Sequence, residues 1–103
     1  MTDASDPNQV KRRSRAIREN ENADKEALRA VLSTQQGRRT IYRILADCGI
    51  YHNPFSGNAL TTAFACGTMN VGQELLARVM DIDPMVYSKM LEEENEQIGR
   101  AHV

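Results

Sequence analysis

The sequence predicts an all-α fold: a compact bundle of about four helices with a polar, basic N-terminal arm and an acidic C-terminal end. Three observations carry this expectation. The chain is rich in Ala, Leu, Arg, Glu, Gln and Met, residues that lose little rotamer freedom in a helix. Its apolar residues recur at three- and four-residue spacing, the signature of one buried helical face. Gly37, Gly49, Pro54, Gly57 and Pro84 mark the breaks between these stretches. At 103 residues the chain is one domain, and its core is modest.

Residues 1–22 hold only Val10 and Ile17 as sizeable apolar groups, too few to offset ordering entropy, and are expected to be mobile or ordered by a partner. Within them Lys11, Arg12, Arg13, Arg15 and Arg18 form a basic block without an acid. On a helix, positions 11, 15 and 18 share one face, as do 12 and 16. The helical domain proper spans 23–98, and 99–103 is a tail.

The first helix is expected from near Ala23 or Asp24 to about Thr34, with Leu28, Val31 and Leu32 inward and Glu26 paired with Arg29. Gly37 then marks a break or kink. A second helix runs from about Arg38 to Cys48. Ile41, Ile44, Leu45 and Cys48 form its buried face, Arg38, Arg39 and Arg43 lie outside, and Gly49 is the left-handed residue after its end. Residues 49–58 are rich in turn chemistry, with Asn53-Pro54 extended and Gly57 and Asn58 tolerant of positive φ. Because Ile50, Tyr51 and Phe55 are large and apolar, this loop is expected to fold back over the core. Asn58 caps a third helix to about Met80, whose positions Leu60, Phe64, Val71, Leu75 and Val79 face inward. Gly67 and Gly72 in that helix permit close approach of another backbone. Asp83 and Pro84 start the last helix, which runs to about Ile98 with Val86, Tyr87, Met90 and Leu91 inward.

Several function classes find no support. No stretch approaches the roughly 20 apolar residues of a membrane span, and no apolar core follows a basic start as in a signal peptide. Cys48 and Cys66 belong to no CxxC or Cys/His cluster and read as reduced, buried thiols. A catalytic or metal role for His52 would need a partner carboxylate, cysteine or second histidine, and the only other histidine, His102, is two residues from the end, so a structural or solvent role is expected. Glu92, Glu93 and Glu94 are consecutive, so a helix fans them around its surface as a solvated face. No GxSxG elbow, SxxK pair or phosphate-cradling loop occurs. A helix-turn-helix is disfavoured by the ten-residue, proline-bearing link between the second and third helices. The expectation is a protein that is not an enzyme, with no catalytic residue, no metal and no cofactor.

Charge is unevenly distributed. Residues 1–40 carry nine Lys or Arg against six Asp or Glu, while residues 81–103 carry two against six. Such polarity suits contacts with copies or partners. The basic block leaves three readings open: a solubilising arm, a segment that orders on an acidic protein, or a sequence-blind phosphate contact. The partner-binding candidates are Lys11, Arg12, Arg13, Arg15, Arg18, Arg38 and Arg39.

One further pattern covers about residues 35–94. It comprises Gly37, Arg38 and Arg39, the aromatic Tyr42, Gly49, and the loop element Phe55 with Asn58. Thr62, Ala63 and Phe64 follow, then Gly67 and Gly72, Leu75 and Leu76, Pro84, Tyr87, Met90 and Leu91. This combination resembles a family of small tailed-phage proteins typified by a Bordetella phage protein encoded among virion genes. The resemblance implies a phage structural or DNA-delivery setting and says nothing about residues 1–22. It makes the leading expectation a multicopy virion component, assembled in the bacterial cytoplasm. Its partners would be copies of itself and larger structural proteins at the head, portal or tail. An assembly factor that leaves the particle, and a cytosolic nucleic-acid-binding or regulatory accessory acting through residues 11–18, are the competing classes.

Overall fold

The computed structural model describes residues 6–101. Four helices account for most of them: α1 (Pro7–Leu32), α2 (Gln35–Asp47), α3 (Ala59–Ile82) and α4 (Pro84–Ala101). No strand occurs among the described residues. The fold is all-α.

The largest departure from expectation is the start of α1. The helix begins at Pro7, not near Ala23, so the basic block lies on a continuous helix. The Asp6 carboxylate accepts a hydrogen bond from the Asn8 N–H at 2.9 Å, and Pro7 occupies the position where its missing N–H costs nothing. Once the packed half of the helix is formed, each added residue gains a hydrogen bond without new nucleation. Arg, Lys, Gln and Ala favour that propagation. Residues 1–5 and 102–103, His102 among them, lie outside the described residues.

α1 and α2 are separated at Ser33–Thr34 rather than at Gly37, which sits inside the first turn of α2. The Thr34 hydroxyl accepts from the Gly37 N–H at 3.0 Å. A Cβ on Gly37 would overlap the Val31 carbonyl, so glycine is required by the tightness of this corner.

The core is Leu32, Ile41, Leu45, Val79 and Met90, all buried, with Leu28, Leu75, Leu76, Val86 and Tyr87 packed partly against it. Burying each such aliphatic side chain stabilises by about 1.5–3 kcal/mol. The buried face of α2 is Arg38, Ile41 and Leu45, at spacings of three and four, whereas Ile44 is 44% exposed. Gly72 is buried where the end of α2 crosses α3. A Cβ there would meet Cys48 Cβ at 2.5 Å and Ile50 Cγ2 at 2.6 Å.

The loop 49–58 is ordered chiefly by its two ends. Gly49, at φ +78°, turns the chain out of α2 in the left-handed region that a side chain would strain. The Tyr51 ring stacks on Tyr42 at 5.9 Å, and its hydroxyl lies 2.7 Å from that of Tyr87 on α4. At the other end the Asn58 side chain accepts from the Leu60 and Thr61 N–H groups, while Thr62 Oγ1 accepts from the Ser56 N–H. Phe55 does not fold back on the core. It is 78% exposed.

Candidate docking surfaces

Two surfaces emerge from these elements, one charged and one apolar. The charged one follows from α1. Every residue from Lys11 to Ala27 is exposed, so Lys11, Arg12, Arg13, Arg15 and Arg18 stand clear of the body on a helix. None of them joins an ion pair among the described residues. The α1 half that does pack is anchored by Lys25, whose ammonium lies 2.9 Å from Asp81 on α3. That hydrogen bond, then the Asp81 charge, raises the Lys25 pKa.

Arg38 has a different role from the one its charge suggests. It is buried at 9% exposure and belongs to the core face of α2. Its guanidinium grips Glu93 of α4 through two bonds, Nε to Oε1 at 2.6 Å and the terminal nitrogen to Oε2 at 3.1 Å. The other terminal nitrogen donates to the Leu32 carbonyl at 2.9 Å. One side chain thus ties together the end of α1, α2 and α4. The side-chain hydrogen bond lowers the Glu93 pKa and raises that of Arg38. Arg38 is therefore removed from the partner-binding set, and Glu93 from the solvated acidic face. Arg39 remains exposed beside the groove that Gln35, Met90, Glu94 and Arg100 help to line.

The apolar surface comes from α3. Leu60 is 83% exposed, Phe64 78% and Val71 61%, although their spacing looked like a buried face. With Ala63, Gly67 and Thr68, Phe64 and Val71 border a shallow groove beside Cys48. Gly67 has no atom within 4 Å of where a Cβ would stand, so nothing within the chain uses its small size. Periodicity identifies an apolar stripe correctly, but no element among the described residues covers this part of it. Cys66 is likewise exposed, while Cys48 is half-buried, and both are free thiols.

His52 is exposed, and its N–H closes a turn onto the Gly49 carbonyl. Among the described residues no group of three His, Cys, Asp or Glu side chains converges on a possible metal position. No described helix is long and apolar enough to cross a membrane.

The model of the Bbp19-like phage protein family matches residues 28–92. The chain belongs to this family. No curated protein and no solved structure matches it. The Bbp19-like region begins in the packed half of α1 and ends within α4, so it includes all five core residues, the loop 49–58 and the whole of α3. The exposed stripe Leu60–Phe64–Val71 lies inside the Bbp19-like region, whereas the basic block of α1 lies outside it.

Proposed function

We propose that this Bbp19-like chain is a non-enzymatic virion structural or assembly component, docking on larger head, portal or tail proteins and present in several copies. The observation that carries the reading is the apolar stripe of α3, left open over about three turns in a chain whose family is a phage family. Contiguous apolar surface of this kind costs solubility unless another surface covers it. The exposed cations of α1 add a second contact, suited to an acidic protein surface. Mass spectrometry of purified particles tests the proposal: the chain is expected among the virion proteins, and its absence from particles of a productive infection would overturn the virion role.

A second reading rests on one observation, the five cations exposed along a single helix without acidic neighbours among them. Such a helix can follow a phosphate backbone irrespective of sequence. Titrating DNA or RNA binding against salt separates the two. A steep salt slope, lost when Arg12, Arg13 and Arg15 are replaced by Gln, favours a nucleic-acid accessory; no binding at low salt removes that reading.

A further inference from the structure

α1 and α3 meet around Lys25 and Asp81, and each carries the stripe of that contact well beyond it. In the packed region Lys25 and Leu28 of α1 share a cleft with Leu75, Arg78 and Ile82 of α3, with Lys25 paired to Asp81. At about 100° per residue, Leu75, Arg78 and Ile82 lie on the same line of α3 as Leu60, Phe64 and Val71. The surface that receives α1 therefore continues toward the start of α3, where no α1 remains to cover it. Conversely, Val10 and Ile17 lie on the line of Leu28 along α1, and they are 50% and 51% exposed.

The two overhangs match. Residues 7–20 of α1 and residues 59–72 of α3 are equal stretches of helix, each about 21 Å long. Val10 and Ile17 are seven residues apart, as are Phe64 and Val71. Laid antiparallel, Val10 reaches Val71 and Ile17 reaches Phe64. Ser14, small and between the two apolar residues, then faces the level of Gly67. The receiving stretch 59–73 holds no Asp, Glu, Lys or Arg, so the basic block of an incoming α1 meets no like charge.

We propose that the exposed stripe of α3 is the docking site for the α1 extension of a second copy of this chain. The contact repeats between molecules the packing already present within one. It is heterologous: each copy offers an α1 extension at one end and an α3 stripe at the other, so association proceeds head to tail into a ring or an open chain. The interface stands whether or not the chain is part of the particle, because it rests on the two stripes alone.

Sedimentation of the full chain over a concentration series tests it. The mass is expected to rise with concentration past that of two chains. Phe64→Ser and Ile17→Ser each weaken association by about tenfold or more, since each removes one side of the same apolar contact. Both side chains are exposed, and circular dichroism confirms that the variants fold. The decisive arm is an equimolar mixture of the two variants. The Ile17→Ser copy keeps an intact α3 stripe and the Phe64→Ser copy an intact α1 extension, so the mixture re-forms a species of two chains and stops there. A full chain monomeric throughout the series, an Ile17→Ser variant that associates normally, or a mixture that stays monomeric each overturns the proposal. Among these, loss of association in Phe64→Ser alone would point to symmetric pairing of α3 with α3.

Discussion

Arg38 and Glu93, 55 residues apart in sequence, form a two-pronged ion pair in which the side chains are only 10% and 18% exposed. The pair closes the bundle where three helices meet, because Arg38 also donates to the carbonyl that ends α1. A half-made version of such a contact is worse than none, since the remaining charge stays buried without a partner.

Arg38→Ala is therefore expected to destabilise the fold by about 3 kcal/mol, and Glu93→Gln by about 2 kcal/mol. Urea unfolding of the single and double variants checks this. The double variant should lose clearly less than the two single losses combined.

The same pair makes stability depend on acidity. Glu93 has its pKa lowered in the folded state from an ordinary value of 4.5. Its contribution is complete above that value and is lost as pH falls through the lower folded value. Unfolding midpoints measured from pH 6 down to about pH 3 should fall more steeply for the parent than for Glu93→Gln. A raised Arg38 pKa adds nothing in this window, since that group loses its proton only in strong alkali.

The two glycines of α3 should respond oppositely to alanine. Gly72→Ala places a methyl group against Cys48 and Ile50 and is expected to cost about 1–3 kcal/mol. Gly67→Ala meets nothing and should stabilise by about 1 kcal/mol through helix propensity. Thermal unfolding at low protein concentration distinguishes the two.

Thiol labelling should split the cysteines. Cys66 is exposed and reacts at a rate close to that of the unfolded chain, while Cys48, lodged beside Gly72, reacts measurably more slowly. Equal rates for both would contradict the packing of α2 against α3.

Asp6→Ala removes the side-chain cap of α1 and should cost about 1 kcal/mol locally. Because the first half of α1 touches little else, the effect belongs in helix content and amide exchange over residues 7–20, with the global unfolding midpoint nearly unchanged.

α2, α3 and α4 were legible in the sequence because their apolar spacing, the Asn58 and Asp83 caps and Gly49 all agree. The first half of α1 was not, since two apolar residues in sixteen gave no periodic signal. Yet Val10 and Ile17 stand at heptad spacing with Val31, and Asp6-Pro7 is a start signal of the same kind as Asp83-Pro84. Burial of Arg38 was also hidden, although it lies three residues before Ile41 and seven before Leu45 on one face. Its charge argued for solvent, and the partner that reverses the argument is remote in sequence. For Leu60, Phe64 and Val71 the pattern revealed the apolar face but could not reveal that no element among the described residues lies over it.

The length of α1 has a mechanical consequence. Only the half following Glu21 is braced by α2 and α3, so Pro7 sits at the tip of an unsupported rod about 21 Å long. A change of about 10° in the angle at which α1 crosses the body would swing that tip by about 4 Å, close to the width of a side chain. Small repacking around Leu28 and Leu32 is thereby amplified as in a lever, and whatever grips the far end would feel it as a displacement rather than as a rearrangement of the core.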